Sequence, residues 1–303
     1  MPQATSVFVG GGTPSHVPAE WLARVLGAIP RASEAEVTVE CNPEDVDAAL
    51  LDTYLGAGVN RVSLGVQSMV PSTLASLGRV HDPEAVHRAV GALGESGLPS
   101  FNLDLIYGAA GESLDDWCHT LGEALALGPS HVSAYALTIE AGTALFDQPE
   151  RHPDDDDQAD KYVLAHEALT AAGLAWYEIS NWARPGHECR QNQVYWRQGD
   201  YRGIGCAAHS HQRGRRWWNI RRVERYIDAI EAGRSPTAGA EELDEDTRRL
   251  EALQLDLRTP LGVPAAALPE DPALERLLVR SAGRARLTVE GRLLANEVSI
   301  RLR

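Results

Sequence analysis

The first two-thirds of the chain alternates between short segments rich in β-branched and aromatic residues and longer segments with a helical spacing of apolar residues. The short segments predict six strands, at residues 5–10, 35–40, 60–66, 100–107, 130–138 and 174–179. The longer segments predict helices between them, at residues 18–28, 44–57, 82–96, 114–127 and 155–172. Strands and helices that alternate at this spacing form parallel β-α units. The pattern fits an open doubly wound sheet and a complete or partial barrel equally well.

From about residue 214 the pattern changes, which predicts a second domain. Three helices are expected there, at residues 221–232, 245–258 and 272–282. Two short strands are expected to follow, joined around Glu290 and Gly291, at residues 284–289 and 295–301. We therefore expect a first domain over residues 1–213 and a small α+β domain, similar to a winged helix, over residues 214–303.

Polar residues occur where the predicted strands end, and their chemistry is complementary to one kind of ligand. The first strand runs into three glycines, whose backbone can approach a ligand closely because glycine has no Cβ. The residues at or near the ends of the first strands supply carboxylates, an amide, a guanidinium and bare backbone: Gly11, Gly12, Thr13, Glu40, Gln67, Arg79 and Asp104. Ligands of parallel α/β folds bind at the carboxyl ends of the strands. The set predicts a zwitterionic or ribose-bearing ligand, with capping or a surface ion pair as the alternative for each residue alone.

Charge and composition limit the classes of partner. The formal net charge of −15 argues against a general affinity for nucleic acid phosphates. The one basic segment that contains tryptophan, residues 213–225, is interpreted as a solvated junction between domains. No apolar run is long enough to cross a bilayer, and the first residues do not resemble a secretion signal. We expect no integral membrane segment and a cytoplasmic location.

Five phrases together resemble the HemN/HemW group of the radical S-adenosylmethionine superfamily. They are GGGTPS at 10–15, ECNPE at 40–44, NRVSLGVQS at 60–68, LGRVHD at 77–82 and FNLDLIYG at 101–108. The similarity continues to LTVEGRLLAN at 287–296 and spans nearly the whole chain. It implies a partial (β/α)6 barrel of the TIM type. It also implies that S-adenosylmethionine binds to the residues that the strand ends supply: Gly11, Gly12, Thr13, Glu40, Gln67, Arg79 and Asp104.

Residues 177–210 distinguish the two branches of this group. They are similar to the HemW type and lack the Arg-Asn-Phe-Gln-Gly-Tyr phrase of the oxygen-independent coproporphyrinogen oxidases. The resemblance thus implies a heme chaperone, which binds heme as cargo and passes it to heme-requiring, chiefly respiratory, proteins. Two alternatives stay open, an oxygen-independent coproporphyrinogen III oxidase of porphyrin biosynthesis and a cluster-free protein that binds S-adenosylmethionine or a partner. Whether the chain forms a dimer is also left open.

The resemblance implies a [4Fe–4S] cluster as well, for which this chain lacks the expected ligands. The superfamily holds the cluster on Cys-x-x-x-Cys-x-x-Cys upstream of GGGTPS, whereas this chain starts nine residues before Gly10. The four cysteines have other spacings, so we predict no metal site in this chain: Cys41, Cys118, Cys189 and Cys206. We expect a shortened amino terminus, with a variant that has lost the cluster as the alternative. Both leave a barrel without its first strand and with an exposed sheet edge.

A second departure concerns heme. The group has a His-Asn-x-x-Tyr-Trp phrase associated with heme, and here Gln191 stands in the place of its histidine. Glutamine is a poor ligand for heme iron compared with imidazole or thiolate. The candidate heme region comprises His187, Cys189, Gln191, Asn192, Tyr195, Trp196 and His209. The axial ligand would then be His187, Cys189, His209, His211 or an unforeseen group, each of which has a structural or surface role as its alternative.

Overall fold

The structure, a computed structural model, describes residues 2–143 and 145–302. The chain divides into two compact units, the first ending at Gln191 and the second beginning at Asn192. Composition alone places the boundary later, between residues 213 and 214. The difference arises because the strand His209–Gln212 pairs with the strand Arg215–Asn219 of the second unit.

A seven-stranded sheet forms the centre of the first unit. Its strands are β1 (Ala4–Val9), β2 (Arg31–Cys41), β3 (Arg61–Gln67), β4 (Ser100–Tyr107), β5 (His131–Ala136), β6 (Ala175–Glu178) and β7 (Asn181–Ala183). The order is β1-β2-β3-β4-β5-β7-β6, with β1 to β5 parallel and the last two strands antiparallel. The sheet is curled into a half-barrel, which confirms the predicted partial barrel. The strand predicted over 174–179 is β6, and the chain reverses after Glu178 into β7, which the sequence did not predict.

Helices connect the parallel strands of this unit. They are α1 (Ala19–Gly27), α2 (Ala48–Gly56), α3 (Pro71–Ser76), α4 (Pro83–Ser96), α5 (Leu114–Ala126) and α6 (Asp155–Ala171), and α7 (Arg190–Trp196) follows the sheet. The sequence predicts five of them and misses the short helices α3 and α7. Local capping explains where the long ones begin. The side chain of Asp82 accepts from the N–H of Ala85, and Ser113 and Asp116 form a capping box at the start of α5.

The two faces of the sheet differ in polarity, and this difference positions the site. Five residues in register across β2, β3, β4, β5 and β7 are apolar and buried: Cys41, Leu64, Leu103, Val132 and Trp182. Their neighbours on the opposite face form a row that is polar over four strands: Glu40, Ser63, Asn102 and His131. Successive side chains of a strand point to opposite faces, so the apolar row packs in the core while the polar row lines the other face.

The second unit contains two small antiparallel sheets and four helices among the described residues. One sheet joins β8 (His209–Gln212), β9 (Arg215–Asn219) and β10 (Thr237–Glu242), and the other joins β11 (Val263–Pro264), β12 (Leu278–Ser281) and β13 (Arg284–Leu287). The helices are α8 (Val223–Glu231), α9 (Glu245–Leu257), α10 (Val289–Leu293) and α11 (Ala295–Ser299). The predicted α+β composition is confirmed. Within the described residues, no helix is both long and apolar enough to span a membrane.

The end of the chain corrects three predictions. The helix predicted over 272–282 is a short 3-10 turn followed by β12, and the strand predicted over 295–301 is helix α11. The hairpin turn lies at Ala282 and Gly283, both with positive φ, and not at Glu290 and Gly291. The hydroxyl of Thr288 accepts from the N–H of Gly291 and starts α10 there, so the predicted turn is the first turn of a helix.

Candidate functional site

The loop after β1 places bare backbone against the carboxylate of Glu40. Glu40 lies one residue before the end of β2, the strand that pairs with β1. A Cβ on Gly10 would lie 2.6 Å from the carboxyl carbon of Glu40, so glycine leaves room for this side chain. The N–H of Gly11 donates to Oε2 of Glu40 at 3.2 Å, and Gly11 has a φ of +88°, which glycine tolerates. Gly12 is exposed and Thr13 is half-buried in the same loop.

Asp104, in the middle of β4, is the second carboxylate of the site. Ser63 Oγ donates to its Oδ2 and Asn102 Nδ2 donates to its Oδ1, each at 2.7 Å. Burial raises the pKa of Asp104, although these donors act to lower it. Burial also raises the pKa of Glu40; the N–H of Gly11 opposes that rise and the charge of Asp104 adds to it. Two partly desolvated carboxylates favour a ligand with positive charge or several hydrogen-bond donors.

Gln67 lies at the end of β3, and Arg79 lies in a loop further along the chain. Gln67 ends β3 after an irregularity in the pairing with β4, is buried, and has a φ of +65°. A non-glycine residue in this region of φ is uncommon and has an unfavourable backbone free energy, which surrounding contacts must offset. Arg79 is half-buried in the loop between α3 and α4. The structure thus joins Gly11 to Glu40 by a hydrogen bond, brings Asp104 near enough for its charge to raise the pKa of Glu40, and places Gln67 on the strand between those of the two carboxylates.

His81 links these loops and was not among the predicted site residues. It is buried; its Nε2 lies 2.9 Å from the carbonyl oxygen of Val66, and its Nδ1 lies 3.6 Å from Oε2 of Glu44. Val66 precedes Gln67, His81 follows Arg79 by two residues, and Glu44 belongs to the loop after Glu40. One imidazole therefore ties together the loops of three predicted binding residues. The LGRVHD phrase contains this histidine, and its position beside Arg79 is the signal that could have found it.

The first three heme candidates lie at the opposite end of the sheet and make structural contacts. Arg61 Nη1, at the start of β3, donates to the carbonyl oxygen of His187 at 2.8 Å. The side-chain oxygen of Gln191 accepts from Ser6 Oγ, in the first half of β1, at 2.9 Å. Cys189 is only 3% exposed. The segment 184–191 therefore covers the amino ends of the parallel strands, and the structure separates it from Glu40 and Asp104.

The remaining heme candidates belong to the second unit. Tyr195 is exposed and its ring meets that of Tyr201 edge to face at 4.7 Å, while Asn192 and Trp196 are half-buried. The exposed ring of His209 stacks on Trp218 with centroids 5.9 Å apart.

His211 differs from His209, because it is buried and both of its ring nitrogens have backbone partners. Nδ1 contacts the carbonyl oxygen of Gly199 at 2.9 Å, and Nε2 accepts from the N–H of Gly214 at 3.1 Å. Of the three histidines, His209 alone presents its ring to solvent on an aromatic support.

The groups of the candidate site fit S-adenosylmethionine, whereas the cysteines of the chain do not fit the other implied cofactor, a [4Fe–4S] cluster. Glu40, Asp104 and the loop backbone offer acceptors, and the space beside Gly11 and Gly12 is open, as a sulfonium nucleoside with hydroxyl and ammonium groups requires. Over residues 2–143 and 145–302, no three histidine, cysteine, aspartate or glutamate side chains are grouped to hold a metal ion. Burial raises the pKa of Cys41 to about 12, which disfavours the thiolate that a cluster ligand needs. The cysteines in the described part of the chain therefore do not fit a [4Fe–4S] cluster.

Comparison with known proteins places the chain in a family. The model of the Radical SAM superfamily matches residues 1–124. A protein of Mycobacterium tuberculosis named heme chaperone HemW is 42% identical over 313 residues, covering 98% of this chain and 80% of its own length. The Bacillus subtilis protein of the same name is 32% identical, covering 98% of this chain and 85% of that protein. The Escherichia coli one is 44% identical over 211 residues, covering 68% and 56%.

A solved structure agrees with the fold. Coproporphyrinogen III oxidase (HemN) from Escherichia coli, described as a radical SAM enzyme, superposes with a TM-score of 0.82 over 98% of this chain and 77% of that chain. Its sequence identity is 21%, so this likeness concerns the fold alone. The sequence relatives carry the finer assignment, and the chain belongs to the HemW family of the radical S-adenosylmethionine superfamily.

Proposed function

We propose that this protein is a heme chaperone that binds heme and transfers it to heme-dependent, chiefly respiratory, proteins. The observation that carries the proposal is the 42% identity, over 98% of this chain, to a protein named heme chaperone HemW. Residues 177–210, which resemble the HemW type rather than the oxidases, support the same assignment. Cytoplasmic location stays a prediction.

We further propose that the carboxyl ends of β1 to β4 bind S-adenosylmethionine. The residues that would hold it are Gly11, Gly12, Thr13, Glu40, Gln67, Arg79 and Asp104. Glu40 and Asp104 would accept hydrogen bonds from hydroxyl or ammonium groups, and Arg79 would pair with a carboxylate. In this superfamily the cofactor supplies a radical when a [4Fe–4S] cluster reduces it. Because the cysteines of this chain do not fit the cluster, the residues described here are assigned binding and orientation of the nucleoside only.

For heme, we propose His209 as the axial ligand. Its ring stacks on Trp218 in an exposed position, and a Cβ on Gly239 would lie 2.5 Å from the same indole. His209, Trp218 and Gly239 are in register across β8, β9 and β10. The sheet therefore holds the side chains of His209 and Trp218 next to each other on one face. A neutral imidazole that is already oriented by stacking binds iron with little further loss of side-chain freedom.

Heme titration followed at the Soret band tests both parts of this proposal. The wild-type chain is expected to give a saturable spectral change at a one-to-one ratio, and His209→Ala is expected to bind at least about tenfold more weakly. His87→Ala is the matched control, because His87 is an exposed histidine on α4 whose ring lies 3.7 Å from Glu123.

Absence of saturable heme binding by the wild type would overturn the chaperone proposal. Unchanged binding by His209→Ala would overturn only the choice of ligand. Conversion of coproporphyrinogen III to protoporphyrinogen IX under anaerobic conditions would favour the oxidase alternative instead.

A further inference from the structure

A chain of buried hydrogen bonds leads from β6 to the carboxylate of Asp104. His131 Nε2 lies 2.7 Å from the hydroxyl of Tyr177, and His131 Nδ1 lies 2.6 Å from Oδ1 of Asn102. Asn102 Nδ2 then reaches Oδ1 of Asp104 and Oγ of Ser63, each at 2.7 Å. His131 and Asn102 are 1% and 3% exposed, so water does not compete for these bonds.

The chemistry of the amide fixes the direction of every bond in this chain. Asn102 Nδ2 can only donate, and its two neighbours at 2.7 Å are Ser63 Oγ and Asp104 Oδ1. Asn102 Oδ1 can only accept, so Nδ1 of His131 carries the proton and donates. A neutral imidazole with a proton on Nδ1 accepts at Nε2, where the hydroxyl of Tyr177 donates.

The surroundings of His131 favour the neutral ring that this arrangement requires. Burial lowers the pKa of His131 well below its ordinary value, and the charges of Arg61 and His187 lower it further. If the amide of Asn102 were reversed, its oxygen would face Oδ1 of Asp104 and would need a proton there, whereas the hydroxyls of Ser63 and Ser133 and the charge of Arg61 act to lower the pKa of Asp104 and so favour its acceptor form against the effect of burial. All hydrogen bonds therefore point towards Asp104, whose second oxygen also receives the hydroxyl of Ser63.

We propose that His131 is a positioning residue for the nucleoside site: through Asn102 it keeps Asp104 an acceptor, so that the ligand group facing Asp104 must be a hydrogen-bond donor. This inference rests on the proposed binding of S-adenosylmethionine, and the ribose hydroxyls are the donors of that ligand that suit a carboxylate. Removal of the His131 donor would leave the amide oxygen with only the longer bond from Ser133 Oγ, at 3.2 Å, so the amide and the carboxylate would be held less firmly in the orientation that selects a hydroxyl-bearing sugar.

Two substitutions test the two ring nitrogens of His131 separately. His131→Asn places an N–H close to the position of Nδ1 and keeps a donor for Asn102, whereas His131→Gln places its amide near Nε2 and keeps only a partner for Tyr177. Each variant loses one bond of the same hydrogen-bond network. Urea unfolding is therefore expected to show similar losses of stability for both. Their ligand affinities are expected to differ.

Calorimetric titration with S-adenosylmethionine is the first test. We expect His131→Asn to bind within about threefold of the wild type and His131→Gln to bind about tenfold more weakly, as for one lost hydrogen bond to a charged network. The second test uses 5′-methylthioadenosine and its 2′,3′-dideoxy analogue. The loss on removing the hydroxyls should be large for the wild type and for His131→Asn, and clearly smaller for His131→Gln.

The outcomes are distinguishable. If the wild type does not bind S-adenosylmethionine, the proposed nucleoside site is wrong and the role of His131 is wrong with it. If the wild type binds and His131→Gln binds equally well, the positioning role alone is overturned. The same conclusion holds if His131→Gln is weaker but loses as much affinity as the wild type when the ribose hydroxyls are removed.

Discussion

A Cβ added to Gly10 would lie 2.6 Å from both carboxylate oxygens of Glu40, nearer than a Cβ atom approaches other heavy atoms in folded proteins. The first glycine of the GGGTPS phrase is therefore needed for the space that Glu40 occupies. Gly11 has a different reason, since its N–H donates to Glu40 and its φ is positive. Gly10 leaves room for the carboxylate of Glu40, and Gly11 orients it through a hydrogen bond.

The variant Gly10→Ala is expected to displace the Glu40 side chain and weaken binding of S-adenosylmethionine about tenfold or more. The reason is steric, since the added methyl group occupies the position of the carboxylate. Calorimetric titration measures the change. Gly91→Ala is the matched control, because Gly91 is exposed inside α4 and its Cβ position has no neighbour within 4 Å. It should leave affinity unchanged and stabilise the protein by about 0.5–1 kcal/mol. Equal affinities of the two variants would contradict the role of Gly10.

Glu178 is expected to make stability depend on pH. Burial raises its pKa to about 7 from an ordinary value of 4.5, although the N–H of Ser180 donates to it and opposes the rise. Between pH 4.5 and 7 the folded protein thus keeps a proton that the unfolded chain has released. The free energy of unfolding should fall as the pH rises through this window, by at most about 3 kcal/mol, and stay low above it.

The variant Glu178→Gln removes this titration. Urea midpoints measured from pH 5 to pH 8 are expected to fall with pH for the wild type and to fall less for Glu178→Gln. The difference between the two proteins should be greatest above pH 7, where the buried carboxylate is charged. Glu95→Gln, at an exposed position on α4, controls for the loss of one surface charge. Parallel profiles for wild type and Glu178→Gln would show that Glu178 is not buried as described.

The cysteines are expected to react at very different rates. Cys41 and Cys189 are buried and Cys118 is exposed. Since the thiolate is the reacting form, the raised pKa of Cys41 slows its alkylation further. Iodoacetamide at pH 8 should label Cys118 first, and Cys41 should be labelled only after denaturation in urea, as measured by peptide mass spectrometry. Rapid labelling of Cys41 in the native protein would indicate an accessible thiolate and reopen its use as a metal ligand.

Short-range patterns predicted much of this fold and of the candidate site. The apolar periodicity identified β1 to β5 and the long helices, since each depends on residues that are close in sequence. The placement of Glu40 and Asp104 near one another followed from the rule that parallel strands present their carboxyl ends at one edge. The contacts that orient these carboxylates did not follow, because Asn102 and Ser63 are 39 residues apart and the two motifs that contain them do not indicate that their side chains meet.

Two further regions show the limits of sequence patterns: the heme candidates, which stay a prediction, and the end of the chain, where the prediction was wrong. Residues 184–191 carry heme candidates, yet Arg61 binds the carbonyl oxygen of His187 across 126 residues of sequence. No local pattern indicates that contact. At the end of the chain, Glu290 and Gly291 have the composition of a turn, and only the cap from Thr288 converts them into a helix. That cap is local, and because a hairpin turn and the first turn of a helix favour similar residues, composition alone did not distinguish them.

Lys161 is the only lysine of the chain, and it anchors the loop between β4 and α5. Its fully buried Nζ donates to Asp157 Oδ2 at 2.6 Å and to the carbonyl oxygen of Glu112 at 2.8 Å, and lies 3.1 Å from Glu112 Oε2. Burial raises the pKa of Glu112, whereas the N–H of Gly108 and the charge of Lys161 act to lower it. The lysine thus balances a carboxylate that has few other partners.

The variant Lys161→Met is expected to lower the free energy of unfolding by about 3–5 kcal/mol, because it leaves the carboxylate of Glu112 buried without its cation. The double variant Lys161→Met/Glu112→Gln removes both charges and should recover a substantial part of that loss, whereas independent sites would give additive losses. Trp117 reports the unfolding by fluorescence, since it is buried and its Nε1 donates to the carbonyl oxygen of Lys161 at 2.8 Å. A double variant that is less stable than Lys161→Met would mean that the pair does not act as a unit.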